Sequence, residues 1–150
     1  MEVAVMGSAG EWVGRVIDAV NRRDWNTVEA SLSDGCTYEA NGSQAWKLSG
    51  REQVLGRFKA LLTAFPDQKA DVTFLVAEGN RAAFELHIVE THTGPLETRF
   101  GTFPATSTEI DEIVGYFVEL DSEGRAARIG HYYDAAPLTM AIMTGSQGGF

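Results

Sequence analysis

The sequence predicts an α+β protein, in which helices come first and an antiparallel sheet follows them along the chain. In the first part of the chain, apolar residues recur every three or four positions, as on one face of an amphipathic helix. After Pro66 the pattern changes to alternation of apolar and polar residues, which indicates strands. The chain has 150 residues, so we expect one domain with a single core over residues 11–143. Residues 1–10 and 144–150 are then a flexible N-terminus and a flexible tail.

Three helices are predicted before Pro66. The first is defined by its apolar face, which carries Trp12, Val13, Val16, Ile17 and Val20. Asp24 is a suitable N-cap for a short second helix over Trp25–Leu32, because its carboxylate can accept a hydrogen bond from the first turn. Ser49 and Glu52 have the spacing of a capping box and open the third helix, which Pro66 ends.

The sheet is predicted from five segments with the period of a strand. They are Cys36–Ala40, a strand in which Val72, Phe74 and Val76 alternate, Arg81–Thr91, Glu109–Leu120 and Arg125–Asp134. A loop rich in Gly, Pro and Thr covers Thr93–Thr108, and Pro137 allows at most a short closing helix. A curved sheet wrapped over the helices encloses a cavity, which is the commonest kind of small-molecule site.

The net charge of −9 narrows the classes of partner. Binding to nucleic acid or to anionic membranes relies on Lys and Arg, so the acidic balance argues against both. We expect a neutral or weakly charged small molecule as the partner. Cys36 is the only cysteine, so neither an intrachain disulfide nor a cysteine zinc cluster is predicted. The N-terminus lacks the features of a signal peptide and no apolar run has the length of a membrane span, which favours a cytoplasmic protein.

Alternation along the strands predicts which side chains face the cavity. On the last strand, His131 shares the apolar face with Ile129 and Tyr133, and an imidazole in such surroundings is a candidate proton carrier. The predicted inward polar residues are Tyr38, Tyr116, His131 and Tyr133, with His92 near the rim and Trp46 as a roof. The apolar lining that we expect to contact a ligand consists of Phe84, Leu86, Ile88 and Val118.

These polar residues also have a structural interpretation. A buried tyrosine usually packs its ring and satisfies its hydroxyl with one hydrogen bond, and His131 is equally consistent with a hydrogen-bonded core histidine. His92, in the sequence THTG, is suited to stabilising a turn. No metal site is predicted, because His87 and His92 are five residues apart and point to opposite faces of a regular strand.

The opposite face of the sheet is expected to form the contact of a homodimer. Its predicted residues mix apolar and polar side chains and are Glu85, His87, Phe117, Glu119 and Tyr132. Such a mixture suits an interface between two protein chains better than it suits open water.

Several motifs resemble one known family. TAFPD, EGNRAAF and THTG occur in this order, and the last strand ends in YYD. With the segments AVNRRDWNTVEASLSD and LSGREQV, they make the chain similar, from about Glu11 to Met143, to the SnoaL-like polyketide cyclases of the NTF2-like superfamily. The resemblance implies a cone-shaped α+β barrel with a deep apolar pocket, usually in dimers. It is less specific for the reaction, because this fold hosts cyclases, isomerases, dehydratases, epoxide hydrolases and binding proteins.

The resemblance also implies positions for the chemistry. In SnoaL-type cyclases an aspartate on the last strand is the general acid/base of an aldol closure, and this position corresponds to His131. A polar pocket residue of the cyclases falls at or near Tyr116, and an asparagine of their early strand falls at or near Tyr38. The Arg and Asp partners of the limonene epoxide hydrolases fall about where Leu86 and Ile88 stand, which argues against that activity.

We therefore predict acid–base catalysis, without cofactor or metal, on a small and mostly apolar carbonyl compound. Polyketide cyclase-like aldol cyclisation or isomerisation is the leading reaction. His131 would remove a proton next to a carbonyl or protonate a departing oxygen, while Tyr116 and Tyr38 donate hydrogen bonds to the developing enolate. A scytalone-dehydratase-like dehydration is the enzymatic alternative. A module that binds a ligand without reacting, and a structural domain with a filled interior, also stay open.

Overall fold

The computed structural model describes residues 9–145, in which four α-helices lie against a six-stranded sheet. The helices are α1 (Ala9–Arg22), α2 (Trp25–Ala30), α3 (Arg51–Ala64) and α4 (Ala136–Thr144). The strands are β1 (Leu32–Ala40), β2 (Lys47–Ser49), β3 (Lys69–Glu78), β4 (Arg81–Thr91), β5 (Leu96–Thr98), β6 (Gly101–Phe103), β7 (Glu109–Leu120) and β8 (Ala126–Tyr132). A 3₁₀ turn, Gln44–Trp46, precedes β2. Most of the predicted flexible ends, 1–10 and 144–150, lies outside the described residues.

The strand order confirms the α+β prediction and changes one detail of it. The main sheet has the order β2-β1-β8-β7-β4-β3, and β5 pairs with β6 in a separate hairpin. β1 runs parallel to β8, with Tyr38 opposite Ile129 and Ala40 opposite His131, so the sheet is mixed and not antiparallel throughout. The alternation of a strand specifies the face that it buries but not the strand with which it pairs. The edge strands β2 and β3 do not meet, and this open, curved sheet is consistent with a cone.

The core lies between the helices and the inner face of the sheet. Val13 of α1 and Val54 of α3 are fully buried in one cluster with Ile129 of β8. Burying each such side chain contributes roughly 1.5–3 kcal/mol. Trp12 lies beside them, and its Nε1 donates a hydrogen bond of 2.9 Å to the carbonyl of Ser31, which ties α1 to the residue that follows α2. These contacts hold the two N-terminal helices over one part of the sheet.

Of the two predicted helix starts, one is confirmed. The carboxylate of Asp24 caps α2, accepting hydrogen bonds from the backbone N–H of Thr27 at 3.2 Å and from its hydroxyl at 2.7 Å. The capping box at Ser49 is wrong. Gly50 is the N-cap of α3 with a φ of 97°, a left-handed backbone region that glycine adopts without strain, and it has no side chain with which to cap. The side chain of Gln53 instead accepts a bond of 3.2 Å from the Ser49 N–H.

A bulge in β3 reverses the predicted alternation of that strand. Val72 pairs with Leu86, but the register then shifts by one residue, so Phe74 pairs with Glu85 on the outer face. Phe74 and Val76 are 54% and 55% exposed, and Val72 and Leu75 are also 40% and 41% exposed on this edge strand. The sequence pattern alone treated Val72, Phe74 and Val76 as one face, because an extra residue in a strand leaves no periodic signal of its own.

Gly94 lies where the chain after β4 meets the end of α3. The N–H groups of Thr93 and Gly94 donate to the Ala64 carbonyl at 3.2 and 3.0 Å, and a Cβ atom at position 94 would collide with the Thr63 carbonyl. We expect Gly94→Ala to lower the free energy of unfolding by about 1–3 kcal/mol, because backbone would have to move. Urea unfolding tests this. The control is Gly56→Ala, whose Cβ meets no atom within 4 Å and which should be neutral or stabilising. Wild-type stability of Gly94→Ala would contradict the close contact.

Candidate active site

A cavity of about 460 Å³ lies between the inner face of the sheet and the helices α1, α3 and α4. Its walls are mainly apolar, and its size is that of a typical small-molecule site. The predicted residues that line it are Trp46, Phe84, Leu86, Ile88, Tyr116, His131 and Tyr133. Three others that were predicted, Tyr38, His92 and Val118, are buried outside its walls. Polar groups face the cavity in two places, around His131 and around Glu90.

The strand register assembles the aromatic group around His131. Phe84 of β4 lies opposite Tyr116 of β7, which in turn lies opposite His131 of β8. Since directly opposed residues share one face, the three rings stack, with centroids 5.3 Å apart for Phe84 and Tyr116 and 4.1 Å apart for Tyr116 and His131. The Tyr133 ring is 4.7 Å from His131. Burial raises the pKa of Tyr116 well above its usual value, so its hydroxyl stays a neutral donor.

Tyr38 lies behind His131, away from the cavity. Its ring is fully buried, and its hydroxyl is 2.6 Å from Nδ1 of His131. Burial raises the pKa of Tyr38 to about 12, so this hydroxyl keeps its proton. The parallel pairing of β1 with β8 brings the two side chains together, and the sequence pattern did not reveal that pairing. In this arrangement the Tyr38 hydroxyl contacts the imidazole and the Tyr38 side chain does not line the cavity.

Arg57 of α3 is a cavity residue that the sequence analysis missed. Its guanidinium carbon is 4.8 Å from the centre of the Trp46 ring. The guanidinium also lies beside the Tyr38 hydroxyl, where its charge and a hydrogen bond from it partly offset the burial that raises the pKa of Tyr38. A signal was present in the sequence: Arg57 comes three residues after Val54 and four before Leu61, which places it on the buried face of α3.

This arrangement assigns the protons of the group. Burial, with the nearby charge of Arg57 as a second cause, lowers the pKa of His131 to about 3, so the imidazole is neutral. Arg57 has only donors, so the Tyr38 oxygen accepts from it, and the proton of that hydroxyl is available for Nδ1 of His131, 2.6 Å away. When Tyr38 donates to Nδ1, the proton of the neutral ring lies on Nε2. In that tautomer Nδ1 is occupied by Tyr38, and Nε2–H is the donor that the ring has left for a ligand.

The second polar group is a set of carboxyl side chains in the same cavity, formed by Glu90, Glu112 and Asp134. Glu90 is 7% exposed, and Nε2 of Gln68 donates a hydrogen bond of 2.6 Å to its Oε2. Asp134 accepts a bond of 2.9 Å from the N–H of Ala136, at the start of α4. Glu90 and Glu112 thus bring carboxyl groups to a wall that is otherwise apolar.

The sequence analysis missed these two glutamates although the alternation contains them. Glu90 is in step with Ile88 on β4, and Glu112 is in step with Val114 on β7, so both continue a face that was predicted to point inward. Burial is the main cause that raises the pKa of Glu90 to about 7, with the charge of Glu112 adding to it and the bond from Gln68 opposing it. Burial and the charge of Asp134 raise the pKa of Glu112. At neutral pH Glu90 is therefore suited to exchanging a proton.

His92 occupies a structural position at the end of β4. Its ring is completely buried, with Nδ1 2.9 Å from the Thr106 hydroxyl and its centroid 5.3 Å from that of Phe65. Its backbone N–H donates to the Thr108 carbonyl and its carbonyl accepts from Ser107, both at 2.9 Å. Burial lowers the pKa of His92, so its ring is neutral. These contacts join β4 to the segment before β7 and do not bring the ring to the cavity.

Among residues 9–145, no three His, Cys, Asp or Glu side chains are grouped in a way that would hold a metal ion. Cys36 is buried, and burial raises the pKa of its thiol to about 12, so it is not a nucleophile. Within the described part of the chain, the helices are too short or too polar to span a bilayer.

Comparison with solved structures supports the fold. The chain is similar to a proposed SnoaL-like polyketide cyclase from Jannaschia sp. CCS1, with 18% identity and a TM-score of 0.76 over 88% of this chain and 89% of that one. It is similar to IdmH, a proposed polyketide cyclase from Streptomyces antibioticus (19% identity, TM-score 0.68, 89% and 97% covered). An LEH-like epoxide hydrolase of M. tuberculosis is also similar (17% identity, TM-score 0.64, 90% and 89% covered).

These identities are low, so they establish the fold and not the reaction. Two of these structures are named as polyketide cyclases and one as an epoxide hydrolase, as expected for a fold that hosts many chemistries. No curated protein matches the chain. The sequence profile of the SnoaL-like domain matches residues 13–129, which is most of the chain. The protein therefore belongs to the SnoaL-like domain family.

Proposed function

We propose that the protein is a cofactor-independent acid–base enzyme that acts on a small, mostly apolar carbonyl compound. One observation carries this proposal: a single cavity contains both the donor of a neutral imidazole, His131, and a buried carboxyl group, Glu90. The two groups are complementary, because abstraction of a proton next to a carbonyl needs a base for carbon and a donor for oxygen.

Glu90 is the base in this proposal. Its pKa of about 7 lies near the operating pH, where a carboxylate combines useful basicity with a substantial ionised fraction. The hydrogen bond from Gln68 occupies one carboxylate oxygen and leaves the other for the substrate. This refines the prediction from sequence, in which His131 was offered both as base and as acid. A ring with a pKa of about 3 and its proton on Nε2 is suited to the donor role.

His131 and Tyr116 then stabilise the oxygen. When the C–H bond breaks, the proton goes to Glu90 and the electron pair moves to the carbonyl oxygen, which accepts hydrogen bonds from Nε2 of His131 and the Tyr116 hydroxyl. Attack of the enolate on a second carbonyl of the same molecule, whose oxygen then takes the proton from Glu90, gives aldol cyclisation. Return of that proton from Glu90 to another carbon gives isomerisation. The polyketide cyclase names of two similar structures favour cyclisation. Dehydration follows instead if the enolate expels a hydroxyl group from the next carbon, which leaves as water with the proton that Glu90 took from carbon.

Proton exchange at carbon tests the proposal without knowledge of the product. 2-Tetralone and a carboxylated 2-tetralone are incubated with the protein in D₂O, and loss of the α-proton signals is followed by NMR. We expect exchange above the buffer rate for at least one ketone, and no such increase with heat-denatured protein. If both ketones bind and neither exchanges faster, the protein is a binding module and the enzymatic proposal is wrong.

We also propose that the protein is a homodimer formed through the outer face of the sheet. Apolar side chains there are exposed in one protomer: Phe74 (54%), Val76 (55%), Val89 (47%), Ile113 (53%) and Tyr132 (47%). The predicted contact residues Glu85, His87, Phe117 and Glu119 belong to the same face. A patch of this kind is typical of a surface that pairs with a second copy of itself.

Ile113→Lys tests this interface. We expect the dimer dissociation constant to rise by about 100-fold or more, because each dimer gains two charges near the centre of an apolar contact. Light scattering after size-exclusion chromatography gives the mass. Asn26→Lys adds the same charge on an exposed position of α2 and should leave the mass unchanged. A wild-type monomer, or a dimer that survives Ile113→Lys, would exclude this face.

A further inference from the structure

Arg57 places a positive charge in the wall of a cavity that is mainly apolar. Its guanidinium lies over the Trp46 ring at 4.8 Å and beside the Tyr38 hydroxyl. Neither neighbour carries a negative charge. The Nε of Arg57 is buried and has no hydrogen-bond partner among residues 9–145. A donor left in this state is costly unless something else accepts from it.

Other arginines of the protein differ from Arg57 in having a carboxylate partner, although the Nε atoms of Arg51 and Arg125 are also buried without a hydrogen bond in the part of the chain that the structure describes. Arg22, Arg51, Arg125 and Arg128 each form an ion pair with an aspartate or glutamate. Within the described residues, no such pair involves Arg57, although Glu90 and Glu112 line the same cavity. Arg57 and these carboxyl groups therefore line one cavity without pairing with each other.

A second guanidinium, that of Arg99, also lies over the Trp46 ring. The guanidinium carbon of Arg99, in the turn between β5 and β6, is 5.6 Å from the Trp46 ring and 4.8 Å from the Phe100 ring. Phe100 itself lines the cavity. Two positive groups thus flank one aromatic wall, and their field attracts an anion to this wall and orients a ligand that has an anionic and an apolar part.

We propose that Arg57 binds the carboxylate of the ligand, so that the protein acts on mostly apolar organic acids. This deepens the proposed function by naming the substrate class, and it revises the expectation of a neutral or weakly charged molecule. A carboxylate matches the planar fork of a guanidinium and supplies the acceptor that the Nε lacks. With its acid group held at Arg57, the ligand has its adjoining carbon skeleton in the cavity that His131 lines.

Binding of a matched pair of probes tests the proposal apart from any turnover. 2-Naphthoate and methyl 2-naphthoate have the same ring system and differ in charge. Trp46 lies against Arg57, so a bound naphthalene ring should quench its fluorescence, and Trp46→Phe identifies its share of the signal among the three tryptophans. We expect wild-type protein to bind the acid at least about tenfold more tightly than the ester, as a charge-assisted bond requires.

Two substitutions isolate the guanidinium. Arg57→Gln should weaken 2-naphthoate binding by about 10- to 100-fold and change ester binding by less than about threefold. Arg57→Lys keeps the positive charge but lacks the planar guanidinium. Its affinity for 2-naphthoate should therefore lie between that of wild type and that of Arg57→Gln. The control, Lys59→Gln, removes one positive charge from an exposed position of the same helix and should change neither probe. Circular dichroism checks that each variant is folded.

A third readout uses His131 and needs no variant at Arg57. The charge of Arg57 lowers the pKa of His131, so an anion bound to the guanidinium should raise it. Imidazole ¹⁵N NMR at pH 7, where the probe is ionised, detects the change around His131 with and without 2-naphthoate, and His131→Gln assigns the signal. Equal affinity of wild-type protein for acid and ester would overturn the proposal, as would an acid preference that survives Arg57→Gln. Neither result depends on α-proton exchange, so failure here leaves the proposed reaction standing.

Discussion

His131→Ala is expected to lower the rate of α-proton exchange by about 10²- to 10⁴-fold, the range that one well-placed acid or base contributes. The loss arises because the variant has no N–H donor for the developing enolate oxygen, while the carboxyl group of Glu90 remains. His131→Gln keeps a polar side chain with an N–H and should lose less. NMR of 2-tetralone exchange gives the rate, and tryptophan fluorescence gives ketone binding, which should change by less than about threefold.

Tyr38→Phe separates orientation of the imidazole from direct contact with the substrate. The variant removes the 2.6 Å hydrogen bond to Nδ1 and leaves the cavity wall unchanged, since Tyr38 does not line it. We expect a lower kcat with little change in KM, together with a change in the ¹⁵N signals that report the His131 tautomer. For the His131→Ala variant described above, exchange at the wild-type rate would show that His131 is not part of the mechanism.

Glu90→Gln is expected to lower the exchange rate by a similar factor and to abolish its pH dependence. In the wild-type protein the rate should rise with pH and level off above the pKa of Glu90, about 7, because only the carboxylate accepts a proton. The variant has no group that ionises at this position. Glu29→Gln, an exposed carboxyl on α2, is the control and should keep both the rate and the pH profile.

Glu90→Gln lowers the exchange rate but is expected to raise the free energy of unfolding at high pH. The pKa of Glu90 is raised in the folded state from 4.5 to about 7, so the folded protein binds this proton more tightly than the unfolded chain does. Stability from this source is present below the unfolded pKa and is lost as the pH rises through about 7, by an amount on the order of 3 kcal/mol. Glu90→Gln should therefore be more stable than wild type at pH 8 and show a flatter profile in urea unfolding. A destabilised variant at pH 8 would show that Glu90 has a structural role instead.

The faces of the strands were predictable because one buried face imposes a period of two. On β4 and β7 the alternation correctly indicated Phe84, Leu86, Ile88 and Tyr116 as inward, and the same rule brought His131 to the inner face of β8. The same alternation also places Glu90 and Glu112 on the inner face, but the sequence prediction of inward residues did not include them. Their burial becomes evident only when the helices that cover them are in place.

The partners of the inward residues were less predictable. Tyr38 meets His131 only because β1 runs parallel to β8, and the two residues are 93 positions apart in the chain. Arg57 lies among apolar residues of α3 that were predicted to form the core. The helical period does not distinguish a residue that packs in the core from one that lines a cavity. In β3, the bulge moved Phe74 to the outer face without leaving a periodic signal.

The sequence by itself determined the class of fold, the family and the inner face of most strands, because these depend on local periodicity and on motifs along the chain. The tertiary structure decided which inward residues meet. It brought Arg57, Tyr38 and His131 into one hydrogen-bonded group in which burial keeps the imidazole neutral, and it buried Glu90 in the wall of the same cavity. Desolvation and charge depend on distances through space, so these pKa values and proton positions follow from packing and not from sequence order.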